Sequence, residues 1–187
     1  MREQSDATEG VAIRAVVPAD AAVLAALGRR TFEATFGPDN DPADVQQYLD
    51  ETFAVERVEL ELGDPSNRHF FAFRPGEGGP AGYAKLRDGR PSASVTTARP
   101  IELQRLYVEA VAHRSGIGSA LMGACMEEAG RGGFETLWLG VWEHNPKAIA
   151  FYQRWGFEQV GAHTFQLGAS AQTDLVMARR VDGDGGP

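Results

Sequence analysis

The sequence predicts a mixed α/β domain in which a sheet is flanked by helices, and three observations carry the prediction. Segments of strand character alternate with segments of helical periodicity along nearly the whole chain. Some strands follow one another through short turn-rich links, so the sheet is not purely parallel. The length of 187 residues is long for a small module and short for two domains, so one domain with a substantial core is expected over residues 10–180.

Residues 1–9 read as a polar arm and residues 181–187, VDGDGGP, as a tail that packs against nothing, both disordered. Val11 to Val17 alternates as a first strand and stops at Pro18. Ala19 to Phe36 is alanine-rich, with Val23, Leu24 and Leu27 forming a helix face, and the polar loop Gly37 to Pro42 interrupts it. Ala43 to Leu62 follows as one further helix, in which Val45, Leu49 and Phe53 step by four. His69 to Arg74 and Ala81 to Leu86 are strands joined through the turn-rich Pro75 to Pro80, and Asp88 to Pro100 is a polar loop. Ile101 to Val108 is a strand whose apolar content is Ile101, Leu103, Leu106 and Val108. After a turn bearing Gly116 and Gly118, a helix is marked by Ile117, Ala120, Leu121 and Ala124. Thr136 to Trp142 is a strand, Asn145 caps a helix with Pro146 in its first position, and Glu158 to Phe165 and Thr173 to Ala178 are the closing strands.

Formal charge is −8, from 18 basic and 26 acidic residues, which repels nucleic acid and membrane surfaces in the absence of a local basic patch. An acidic surface suits an amine substrate and equally serves solubility alone. No apolar run approaches the ~20 residues of a membrane span, and MREQSDATEG is too polar for a secretory signal, so a cytoplasmic protein is expected. Cys125 is the single cysteine and has no partner for an internal disulfide. His69, His113, His144 and His163 lie far apart with no metal-ligand spacing, so no metal is expected. The oligomeric state is open, a homodimer among the alternatives.

The run Ile101 to Ala124, IELQRLYVEAVAHRSGIGSALMGA, carries the first sign of chemistry. The amides of Ser115 to Ser119 fall at the positive end of a helix dipole, which favours an anion such as phosphate. A nucleotide-triphosphate loop would end in Gly-Lys-Ser/Thr, and no lysine follows either glycine; a dinucleotide fingerprint would place a third glycine where Leu121 stands. The stretch instead resembles the acetyl-coenzyme A loop of the GNAT superfamily of N-acetyltransferases, Gln/Arg-x-x-Gly-x-Gly/Ala after a Tyr-Val strand end. Here it reads His113-Arg114-Ser115-Gly116-Ile117-Gly118 after Tyr107-Val108, with His113 departing from the pattern. A second stretch, WLGVWEHNPKAIAFYQRWGFE, resembles the family's Asn-x-x-Ala-x-x-Phe-Tyr-x-x-x-Gly-Phe, met at Asn145, Ala148, Phe151, Tyr152, Gly156 and Phe157. The likeness extends from about Val11 to about Arg179, and its phrasing is similar to a bacterial branch that includes polyamine acetyltransferases.

The resemblance implies a GNAT fold, a splayed, mostly antiparallel central sheet flanked by helices, with acetyl-coenzyme A and an amine acceptor as partners. It implies that the pantetheine arm lies beside Leu106, Tyr107 and Val108, and that His113, Arg114, Ser115, Gly116, Ile117, Gly118 and Ser119 surround the diphosphate. Asn145 and Tyr152 complete the implied cofactor contacts. Phe32 and Phe36 border the implied acceptor pocket, with the Gly37 to Pro42 loop as a lid.

Acyl transfer to an amine needs a neutral nitrogen, a stabilised oxyanion and a proton for the departing thiolate. Tyr152 is the candidate acid, since a phenol with pKa near ~10 stays protonated at neutral pH; the alternative is a core tyrosine grouped with Ala148, Phe151 and Trp155. Asn145 serves as a helix cap, as a pantetheine contact, or as both. Glu102 is the candidate base, directly or through a water, with Gln104 or Tyr107 helping to place the substrate; a water chain, with Glu102 a surface carboxylate, is the alternative. Alternation puts Glu102, Gln104, Leu106 and Val108 on one face unless a bulge flips part of the set. Three functions fit these residues: transfer to a small amine, transfer to a protein or peptide, and a non-catalytic acyl-coenzyme A binding module.

Overall fold

The protein is described by a computed structural model covering residues 10–181, and the expected arm and the tail from residue 182 onward lie outside the described residues. Val181, expected to open that tail, instead closes the domain: it is 8% exposed, joins the larger core and donates its amide to the Glu135 carbonyl at 2.9 Å.

The chain runs β1 (Ala12–Ala15), α1 (Ala21–Phe36), α2 (Pro42–Thr52), α3 (Val55–Gly63), β2 (Asn67–Phe73), β3 (Pro80–Arg87), β4 (Pro100–Val108), α4 (Ile117–Arg131), β5 (Thr136–Trp142), α5 (Pro146–Arg154), β6 (Glu158–Leu167) and β7 (Ser170–Arg180). The single helix expected over Ala43 to Leu62 is two. Asp41 caps α2 by accepting from the Ala43 amide at 2.8 Å, and the helix ends at Phe53, whose ring must turn inward to be buried. Ala54 is extended, at ψ 140°, and α3 restarts at a new angle.

The strands form one sheet in the order β1-β2-β3-β4-β5-β7-β6, antiparallel throughout except between β4 and β5. That exceptional pair is short. Its rungs are Pro100 with Thr136, Ile101 with Leu137 and Glu102 with Trp138, and past Glu102 the two strands part. This is the expected splay.

The two sheet faces bury separate cores. Ile101, Leu103, Leu106, Leu139 and Val141 pack with Ile117, Leu121, Met122 and Cys125 of α4 and with α5. On the opposite face Phe71, Tyr83 and Tyr107 meet Leu24, Leu27 and Phe32 of α1, Leu49 of α2 and Val58 of α3. A bulge in β4 decides which residue goes where. Lys85 pairs with Arg105 while Leu86 pairs with Leu103, so Gln104 is the extra residue. Glu102, Arg105 and Tyr107 therefore share the α1–α3 face, and Leu103, Leu106 and Val108 share the α4 face. Simple alternation would have grouped Glu102 with Leu106 and Val108.

Gly28 of α1 lies against the Phe53 ring, which occupies the space a Cβ would need. We expect Gly28→Ala to lower unfolding free energy by about 1–3 kcal/mol in denaturant titration. Unchanged stability would show that the ring can move aside.

Candidate functional site

The open edge of β4 is the first element of the site. The Glu109 amide donates to the Ala81 carbonyl at 2.8 Å, so by antiparallel alternation Tyr107 also turns its main chain toward β3. Leu106 and Val108 turn theirs the other way, into the gap that β5 has left. Tyr107, expected among the cofactor contacts, has its peptide groups committed to the ladder. Its side chain lies on the far face, stacked on Tyr83 at 5.8 Å between centroids.

The turn after β4 delivers donors to the end of that edge. Arg114 and Gly116 both take left-handed backbone, at φ 64° and 81°, and the Ser115 hydroxyl donates to the Ala112 carbonyl at 2.6 Å, fixing the turn. Holding an arginine at positive φ costs free energy, so the surrounding turn must enforce it. Gly116 is the N-cap of α4 and has no side chain to serve the helix amides; the first helical bond runs from Ala120 to Gly116. The amides of Ile117, Gly118 and Ser119 are thus left facing outward. His113 behaves in a way no pattern predicted: its Nε2 lies 3.0 Å from the Val108 carbonyl. A carbonyl only accepts, so Nε2 carries the hydrogen.

On the α4 side, Gly118 packs near Val108 and Phe151, and Phe151 meets Tyr152 edge-on at 5.4 Å. Tyr152 also meets Phe157 edge-on at 5.8 Å, and burial raises its pKa well above the ordinary phenol value. Asn145 caps α5 by accepting from the Ala148 amide at 3.1 Å, which leaves its own amide hydrogens to donate elsewhere.

On the α1–α3 side an aromatic layer spans the gap. Phe32 stacks on Tyr48 at 4.3 Å, Tyr48 meets Phe165 at 5.7 Å, and Phe36 meets Trp142 at 5.9 Å. Phe32, expected to border an acceptor, is 1% exposed and belongs to the core, because the i, i+4 stripe of α1 carries it inward. Phe36 is half-buried and remains available. The Gly37 to Pro42 loop is tied down: the Gln172 amide donates to Asn40, and Asp44 at the start of α2 accepts from the Ala169 amide at 2.8 Å.

Glu102 is engaged by Arg87, through Nε at 2.8 Å and Nη2 at 2.6 Å. Both bonds fall on the same oxygen, Oε2, and tie the carboxylate to the guanidinium. Sequence reasoning missed a freer one. Asp174 of β7 faces His163 of β6, Oδ2 to Nε2 3.9 Å, and both sit over the missing side chain of Gly140. Leu139 and Val141 belong to the α4 core, so Gly140 and this pair lie on the α1–α3 face. Burial pushes the Asp174 carboxyl up to about 6, with His163 pulling the other way. The signal was present as a lone acid inside the alternating TDLVMA run.

Also missed was a cleft of about 630 Å³ beside Gln104, walled by Tyr48, Arg57, Glu61, Lys85 and Arg105. Its signal was the pair of charges interrupting AGYAKL and ELQRLYV. Among the described residues no helix is long and apolar enough to cross a membrane, and no three His, Cys, Asp or Glu side chains converge as metal ligands.

Residues 29–157 match the family model described as Acetyltransferase (GNAT) family. An uncharacterised N-acetyltransferase of Lactobacillus delbrueckii subsp. lactis is 33% identical over 172 residues, covering 92% of this chain and 98% of that protein. One of Mycobacterium tuberculosis is 33% identical over 162 residues, covering 87% and 98%. Among solved structures, the PaiA N-acetyltransferase of Thermoplasma acidophilum in complex with coenzyme A superimposes with a TM-score of 0.72 at 18% identity, covering 91% of this chain and 99% of that one. A putative acetyltransferase, YncA, of Salmonella typhimurium with acetyl-coenzyme A gives 0.63 at 21% identity, covering 95% and 98%.

A Cβ on Gly118 would sit 3.7 Å from Phe151 and 3.9 Å from Val108, ordinary contact distances, so the protein itself admits alanine there. We expect Gly118→Ala to retain coenzyme A binding and Gly118→Leu to abolish it in titration calorimetry. Binding by the leucine variant would remove this turn from the site.

Proposed function

The chain belongs to the GNAT acetyltransferase family and is an acetyl-coenzyme A-dependent N-acetyltransferase, and we propose that its acceptor is the primary amine of a small molecule in the cytoplasm. The observation that carries this reading is the unpaired β4 edge at Leu106 and Val108, which leads directly to the free amides of α4. A cleft of about 630 Å³ is of small-ligand size, and Tyr48, Glu51 and Thr52 of α2 wall one side of it.

The residues divide the work by position. The amides of Ile117, Gly118 and Ser119 and the side chain of Arg114 hold the diphosphate, and the Leu106 and Val108 peptide groups hold the pantetheine arm as a strand would. His113 gives up the Val108 carbonyl as the arm docks. Acetyl-coenzyme A supplies an acyl group already activated as a thioester. Tyr152, kept protonated by burial, donates its hydroxyl hydrogen toward the leaving sulfur. Asp174 takes the proton from the acceptor ammonium, directly or through a water, while Glu102 stays ion-paired with Arg87.

Thiol release measured with acetyl-coenzyme A against a panel of amines and peptides tests the proposal, and turnover of peptides alone would overturn the small-molecule acceptor. Tyr152→Phe is expected to lower kcat by about 10²-fold with little change in coenzyme A affinity, because the lost group acts only in the transition state. An unaltered kcat would take Tyr152 out of the reaction. Asp174 must be ionised to accept a proton, so kcat/KM should fall as pH drops through about 6, and Asp174→Asn should erase that acid limb. Persistence of the limb in the variant would assign it to another group.

A further inference from the structure

The floor of the cleft is a rung of basic side chains. In register His69 stands opposite Lys85, and Lys85 opposite Arg105, and the three residues are 5%, 2% and 9% exposed. Like charges facing each other across strands repel, and buried cations require counter-charge. A single carboxylate answers them from above. Glu61 of α3 takes a bond from Lys85 Nζ at 2.8 Å and two from Arg105, at 2.8 and 3.2 Å.

The charges do not cancel. Burial keeps His69 neutral by lowering its pKa. Although burial alone would raise Glu61, nearby His69, Arg105 and Lys85 hold it far below the usual carboxylate range, so it is ionised. Two cations therefore face one anion, and a positive charge is left over against the cleft. Lys85 registers the imbalance: burial and the repulsion of Arg105 draw its pKa down to about 8 despite the attraction of Glu61. The rim is mixed in sign: Arg57 has no partner among the described residues and Arg87 reaches in from its bond to Glu102, and against them stand the carboxylates of Glu51, which accepts from Gln47 at 2.9 Å, and Asp64, which accepts from Ser66 at 2.7 Å. The cation left over for a ligand is therefore that of the floor, with unpaired Arg57 beside it. Lys85 is one of only two lysines in a chain with formal charge −8, so two buried cations over one carboxylate run against the composition as a whole.

The cleft is placed for a substrate. Gln104, which lines it, is the bulged residue of β4 and precedes Val108 by four positions, about 13 Å at strand spacing. An arm laid along β4 from the α4 amides toward the last rung at Glu102 carries its thioester toward that bulge. Buried acceptor atoms without partners, Oε1 of Gln104 and Oδ1 of Asn67, stand in the same wall and match a donor such as an ammonium, not a carboxylate.

We propose that the cleft binds an anionic group of the acceptor, so that the substrate is a small primary amine carrying a carboxylate, held by Lys85, Arg105 and Arg57, instead of a polyamine. The proposal rests on the small-amine reading above and narrows it. Matched acceptors test it: an amino acid with a free side-chain or α-amine, its carboxamide, a phosphorylated amine and a diamine, each assayed by thiol release at saturating acetyl-coenzyme A. The free acid should be used with kcat/KM about tenfold or more above its carboxamide and the diamine. Arg57→Ala and Lys85→Met should raise KM for the acid about tenfold while leaving KM for acetyl-coenzyme A and for the carboxamide in place. Arg57 is exposed, so its variant carries the test should Lys85→Met fail to fold.

Equal use of acid and carboxamide, preference for the diamine, or an unmoved KM in Arg57→Ala overturns the proposal. Preference for the phosphorylated amine over the carboxylate overturns the choice of carboxylate. Absence of thiol release with every acceptor overturns the small-amine reading instead. In that event calorimetric binding of the acid to the coenzyme A complex, weakened by Arg57→Ala, still decides for this proposal, and lack of binding decides against it.

Discussion

Everything in this molecule depends on a pairing that stops. β4 and β5 hold each other for three rungs and then diverge, although each has peptide groups that a neighbouring strand would satisfy. The divergence survives because each strand is secured on its other side. β4 is zipped to β3 over nearly its whole length, and β5 to β7. The α4 core then runs beneath both, so Leu106 and Val141 share one apolar cluster across the opening. The gap is a property of the scaffold and requires no mobile segment to create it.

The bulge at Gln104 gives that gap two different walls. Had β4 kept strict alternation, Glu102 would have looked toward α4, on the face of Leu106 and Val108. One extra residue rotates it onto the opposite face, in line with Arg87 and next to the basic rung. Gly118 and Tyr152, to which the proposed reaction gives the acyl donor, thereby lie on one side. Asp174, Phe36 and the cleft, to which it gives the acceptor, lie on the other. A single-residue irregularity sets the two groups apart.

How much of this was legible beforehand depended on the range of the interaction concerned. Local rules were readable: Asn145 and Pro146 announced the start of α5, Gly116 announced the left-handed cap of α4, and the hairpin glycines bounded β2 and β3. Long-range matters were not. The break at Phe53 is dictated by where its ring must go, over Gly28 of another helix. Glu61 gains its character from Lys85 and Arg105, distant in sequence, and Asp174 from burial on a face that only the packed sheet creates. Val181 looked like tail because its sequence neighbours are polar, yet its amide completes a bond to Glu135. Tertiary placement is the missing ingredient in each instance, and for β4 it is register, since strand patterns fix faces only until an extra residue intervenes.

The imidazole seated on the Val108 carbonyl has a meaning for the protein when no ligand is bound. A strand margin with vacant hydrogen-bonding positions invites a second chain to lie alongside and extend the sheet, the route by which edges seed aggregates. His113 fills one such position with a group that cannot propagate a ladder, and the left-handed Arg114 bends the following chain away. The histidine that stands at this position thus occupies an acceptor that would otherwise be open to a neighbouring strand.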